Sequence, residues 1–183
     1  MKKEYLFKKS KLSLRNEISA LFLIGVISGI FGFLYEEIFY YIDLGYLVKR
    51  GSTYGPIIPI YFFGGMLIVL FTYKFKDKPV KVFLLNILVT GLLELLTGYI
   101  LLKYFDLRLW DYNKEIWNFG NIGGFICLRS VLFFGISSLF LIYIIVPFVI
   151  KLYKKYNDKH LRIISYILVI ITFIDIIMYM IFR

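Results

Sequence analysis

The chain has 183 residues, 60% hydrophobic and 20% aromatic, with a mean hydropathy of +0.78 and a formal net charge of +10. That apolar share lies far above the soluble average, so the chain is read as one domain dissolved in lipid. A lone cysteine, Cys127, excludes an intrachain disulfide. With one histidine, His160, placed in a charged loop, zinc sites and Cys/His or Ser/His nucleophile pairs are excluded as well.

No Gly-rich phosphate loop occurs, so hydrolysis of nucleotide by that route is excluded and no cofactor is implied. The positive charge does not point to nucleic acid. It gathers at the ends of apolar runs, which is the pattern of membrane topology.

Residues 1–17 form a basic leader with Lys2, Lys3, Lys8, Lys9, Lys11 and Arg15. Its charge resembles a signal-peptide n-region. The apolar run after it is too long for an h-region and shows no small-residue cleavage site, so the leader is read as retained on the membrane surface. Phe7, Leu12 and Leu14 are its candidates for touching the bilayer.

Five apolar runs follow, at about residues 18–42, 54–73, 82–102, 122–150 and 163–182, each long enough to cross roughly 30 Å of hydrocarbon. The expected fold is therefore all-α, a five-span multi-pass bundle in the cell membrane. Span 1 carries Gly25, Gly29 and Gly32, a small-residue stripe that suits close helix packing or dimerisation, and then Glu36 and Glu37.

Span 2 opens on Gly55-Pro56 with Pro59 soon after. Two readings stand side by side there: irregular backbone beside a wet cavity, or an ordinary proline at a helix start. Span 3 contains Glu94, span 4 Arg129 and Pro147, and span 5 Asp175. The loop 103–121 holds both tryptophans, of which Trp117 suits an interfacial belt.

Fifteen Lys and Arg residues fall in the leader and the loops 74–81 and 151–162, and six on the other side. The positive-inside rule then places the N-terminus in the cytoplasm and the C-terminus outside.

A guanidinium at membrane depth costs at least ~2.5–3.5 kcal/mol, so Arg129 demands a partner. At 1.5 Å per residue, Arg129, Glu36, Glu94 and Asp175 all lie about 10 Å below the outer ends of their spans. The expectation is that Arg129 pairs with one or more of these acids around an outward-facing polar pocket. Arg50, Tyr54, Trp110, Asp111 and Tyr112 would cap it from the loops. Glu37 and Asp175 are its peripheral members. Glu36–Arg50 and Glu94–Arg108 share a fourteen-residue spacing, read as coincidence.

These residues also carry a family resemblance. Gly32-x-x-x-Glu36, Arg50-Gly51-x-x-x-Gly55-Pro56-x-x-Pro59-Ile60-Tyr61, Glu94-x-x-Thr97-Gly98, Trp110-Asp111-Tyr112 and Asn121-x-x-Gly124-x-Ile126-Cys127-Leu128 follow in that order. Together they resemble the bacterial ABC-transporter type IV (CmpB-like) family. The chain departs from that family's pattern at Phe33, Leu102, Asn113 and Phe125. The resemblance implies a permease. Since this chain supplies no nucleotide-binding domain, it also implies a separate ATPase subunit docking on the basic cytoplasmic loops.

Three functional readings fit the residues. In the first, a permease binds a polar or amphiphilic small molecule or lipid at the Glu/Arg pocket. Glu36 and Glu94 orient a cation or relay protons, and Arg129 or Arg50 takes an anionic group. In the second, an intramembrane enzyme or sensor acts on a lipid headgroup, with Glu36 or Glu94 as general base and Arg50 as phosphate anchor. In the third, the charges only fix packing within a larger membrane complex.

Overall fold

The structure, a computed structural model, describes residues 6–7, 12–156 and 158–182. The leader lysines and Arg183 lie outside the described residues. Helix α1 spans Leu14–Leu44, α2 Pro59–Thr72, α3 Pro79–Phe105, α4 Leu128–Phe140, α5 Val146–Lys155 and α6 Asp158–Phe182. Leu141–Ile145 is π-helical and joins α4 to α5 in one continuous rod. No strand occurs among the described residues, only an isolated bridge between Ile122 and Ile126.

Helices α1, α3, α6 and the α4–α5 rod are each long and apolar enough to cross a membrane, and Pro59–Phe75 is a shorter apolar helix. Leu84, Leu88, Leu92 and Leu96 line up four apart on an exposed face of α3. Ile163, Ile167, Ile170, Ile174, Ile177 and Ile181 line an exposed face of α6 at alternating spacings of four and three. Such stripes are costly in water and suited to lipid tails.

The glycine stripe of α1 packs against α2 within the same chain. A Cβ on Gly25 would stand 3.0 Å from Met66 and Phe62, one on Gly29 2.6 Å from Ile57, and one on Gly32 would enter the Tyr61 ring. The approach is close enough for the Ile58 N–H to donate to the Gly29 carbonyl at 3.2 Å. Pro59 is the first residue of α2, where its missing N–H costs nothing. The segment before it is held by Asp175 of α6, which accepts from the Tyr54 and Gly55 N–H groups, both at 2.8 Å.

Several boundaries differ from the sequence expectation. Helix α1 begins at Leu14, inside the expected leader, because Ser13 caps it by accepting from the Asn16 N–H. Phe7 and Leu12 do not lie on a surface. Both are buried in the core, with Phe7 edge-on to Tyr73 at 5.3 Å. Buried Glu17 accepts from the Leu6 and Phe7 N–H groups and so ties this piece of the leader to α1. Only Leu14 is exposed.

Residues 54–58 are not helical, and α2 starts at Pro59. The apolar run expected to begin at Ile122 becomes helical only at Leu128, because Gly123 and Gly124 adopt φ of 60° and 78° and break it.

The π-helical segment follows from Pro147. Proline has no N–H to give to the preceding turn, and its ring crowds the carbonyl four residues back. The rod answers with a wide turn in which the Val146 N–H bonds to the Leu141 carbonyl. The rod changes partners at that point. Below it, α5 packs on α1 and α6, with Val146, Val149 and Tyr153 fully in the core. Above it, α4 packs on α3. Two aromatic pairs bridge α4 to α1, Phe31–Phe140 at 5.4 Å and Tyr35–Phe133 at 3.6 Å. Space is left between α1 and α4, lined also by residues of α2, α3 and the π-helical turn.

Candidate functional site

Arg129 is the second residue of α4, not a residue two turns deep. Its partner is Glu115, which reaches it from the loop between α3 and α4 and forms an ion pair with Arg129 Nη2. This corrects the expectation that Glu36, Glu94 or Asp175 takes that role. The helix dipole offers a cation nothing at a helix N-terminus, so the charge depends on Glu115. The guanidinium also lies 3.9 Å from the Phe39 ring centroid and 5.4 Å from that of Tyr112. Its Nε is buried with no hydrogen-bond partner among the described residues.

Glu115 is 9% exposed, and its second oxygen accepts from the Tyr40 hydroxyl. Its neighbour Ile116 donates its N–H to Asp43 at 3.1 Å. The loop thus folds back onto the end of α1 and delivers an acid to the bundle.

The loop owes this path to its local chemistry. Asp106 and Trp117 take positive φ of 50° and 53°. Gly124 sits where a side chain could not: a Cβ would strike Arg108, Asp111 and Asn113. Its carbonyl accepts from the Tyr112 N–H at 3.0 Å, and its own N–H donates to Asn121 Oδ1 at 2.8 Å. Trp110 Nε1 donates to the Phe125 carbonyl at 2.9 Å.

Glu94 is 3% exposed. One oxygen accepts from the Tyr112 hydroxyl and the other from Ser130 Oγ at 2.9 Å. Burial holds the Tyr112 hydroxyl well above its ordinary range, and the Glu94 charge pushes the same way, so it remains a donor. Glu36 pairs with Arg50 through Nε at 3.4 Å, and the Arg50 guanidinium stacks 3.5 Å from the Tyr40 ring centroid. Glu37 accepts from the Arg50 N–H at 2.8 Å and so fixes the loop that carries it.

Glu36, Glu94, Glu115, Arg129, Trp110 and Tyr112 all border one small cavity of about 30 Å³. Beside it, in the space between α1 and α4, is a crevice of about 500 Å³. Glu94, Tyr35, Tyr61 and Phe133 border both.

The remaining expected site residues fall elsewhere. Tyr54 is exposed and packs on Tyr179 of α6 at 5.5 Å. Asp111 bonds within its own loop, to Arg108 at 3.0 Å and to the Asn113 N–H. Asp175 braces the start of α2. The fourteen-residue spacing makes an ion pair only in its first instance, since Arg108 turns to Asp111 and the Gly123 carbonyl. Glu115 was not foreseen, because a lone acid in a polar loop carries no periodic signal.

The fold defines a polytopic α-helical membrane protein. No curated protein and no solved structure matches the chain. Its residues 21–180 match the family described as "Putative ABC-transporter type IV", and the chain belongs to that family.

Proposed function

We propose that this protein is the membrane subunit of a transporter for an amphiphilic small molecule or lipid, held in the cell membrane with its polar group at the Glu36–Glu94–Glu115–Arg129 cavity. One observation carries the reading. The charged cavity and the apolar crevice share a wall, so a polar head and an attached chain can be bound at once. A pocket of several hundred Å³ with a few convergent polar groups is the usual form of a small-molecule site.

Glu36 and Glu94 orient a cation or relay protons, and Arg50 and Arg129 hold the acids in place. The chain lacks a phosphate-binding loop, so a separate ATPase subunit supplies the energy. Its docking surface is the basic side, which includes Lys74, Lys76 and Lys78 between α2 and α3 and Lys81 in the first turn of α3. The N-terminus lies in the cytoplasm and the C-terminus outside, so the cavity faces outward.

The test is purification from native membranes with any bound ATPase, followed by reconstitution in liposomes. Fluorescent single-chain amphiphiles with an ammonium, a trimethylammonium or a sulfate head, placed in the outer or the inner leaflet, serve as probes. ATP-stimulated movement of a probe between leaflets, lost in Glu94→Gln, is expected. Absence of both a co-purifying ATPase and any probe movement would overturn the reading.

A packing role for the charges makes the opposite prediction. Glu94→Gln would then lower the yield of assembled protein without touching probe movement in what remains. The lipid-headgroup enzyme reading predicts chemically altered lipid by mass spectrometry without movement.

A further inference from the structure

We propose that the crevice between α1 and α4 binds a single-chain amphiphile with a primary ammonium head, and that the ammonium sits on Glu94. This rests on the transporter reading above and narrows its substrate class.

Charge selects the head. Three carboxylates, Glu36, Glu94 and Glu115, stand against two guanidiniums, Arg50 and Arg129. Arg50 pairs with Glu36 and Arg129 with Glu115. Among the described residues Glu94 faces no cation; its partners are the hydroxyls of Tyr112 and Ser130. Each of its oxygens keeps a lone pair, and an ammonium brings three donors. One added positive charge neutralises the group. An anionic head would meet an unpaired acid, while each guanidinium already faces a carboxylate, Arg50 that of Glu36 and Arg129 that of Glu115.

Space selects among cations. The cavity of about 30 Å³ has room for one or two water-sized groups. A –NH₃⁺ head is of that size, and a trimethylammonium is not.

The crevice selects the tail. It holds about 500 Å³ and is walled by apolar side chains of α1 and α4 with the small residues Gly64 and Gly65 of α2 at its back. Phe31, Leu34, Ile38 and Ile136 border it and are exposed on the lipid-facing surface. A chain therefore enters sideways from the bilayer, past the Phe31–Phe140 pair. The head then reaches Glu94 without crossing water.

The test is equilibrium binding of radiolabelled dodecylammonium to the full chain in phosphatidylcholine nanodiscs, with empty nanodiscs as background. Saturable binding above that background is expected. Dodecyltrimethylammonium should compete at least tenfold more weakly, and dodecyl sulfate not at all. Glu94→Gln should weaken binding at least tenfold with helix content and melting temperature kept. Ile136→Trp, which places a ring in the crevice and leaves Glu94 in place, should weaken it as well. It decides the matter if Glu94→Gln does not fold.

Binding no greater than in empty nanodiscs overturns the proposal. So does equal competition by dodecyl sulfate or dodecyltrimethylammonium, or unchanged affinity in both variants. Selective binding without ATP-driven movement would keep this site and overturn the transporter reading. Movement of the probes with no preference for the ammonium head would do the reverse.

Discussion

Arg129 keeps its charge inside the bundle because Glu115 comes in from a loop to meet it. Removing that acid leaves a mostly buried cation with no ion-pair partner and only the Phe39 and Tyr112 rings against it. Glu115→Gln is expected to destabilise the protein by about 3–5 kcal/mol, the usual cost of breaking a buried pair from one side. A drop in melting temperature in detergent measures it. The double change of Glu115→Leu with Arg129→Met should recover most of the loss, since no uncompensated charge remains. Tyr112→Phe leaves a buried Glu94 oxygen without its hydroxyl donor and should cost about 1–3 kcal/mol in the same assay. The acids Glu36 and Glu94 were legible from sequence, because a carboxylate in an apolar run needs an explanation. Glu115 was not, because its burial depends on where the loop folds.

The elements are set by a few residues whose backbone demands are strict. Gly32 lets α1 and α2 touch, and a leucine there would overlap the Tyr61 ring. Gly32→Leu should therefore destabilise the bundle by about 1–3 kcal/mol, an overpacking cost that thermal unfolding can detect. The π-helical turn before Pro147 is a second case. Deleting Ile144 would take out the extra residue that the wide turn absorbs, so α5 would keep its face on α1 while the Pro147 ring pressed on a regular helical turn. Val146, Val149 and Tyr153 would stay in the core, so folded monomer should persist on size-exclusion chromatography, with a melting temperature lowered by proline strain of about 3 kcal/mol. Helix positions followed from the apolar runs. Their ends did not, because capping by Ser13 and the glycines at 123 and 124 overrides hydropathy.

At the scale of the molecule, the proposed orientation rests on the uneven spread of Lys and Arg. A reporter fused after Arg183 should read as extracytoplasmic, and one inserted after Lys78 as cytoplasmic. The opposite result for either would reverse the bundle and turn its charged cavity inward.

The amino-acid order alone determined that the chain is helical, that it lives in lipid and that it carries more charge in its apolar runs than lipid tolerates. Those conclusions need only composition and local spacing, since an apolar helix with an ionised group is expensive wherever it lies. Which acid meets Arg129, and that a charged cavity adjoins an apolar crevice, were decided by the tertiary fold. Both depend on a glycine-bent loop reaching back to α1 and on side chains of α1, α2, α3 and α4 meeting around one crevice, distances that no run of neighbouring residues encodes.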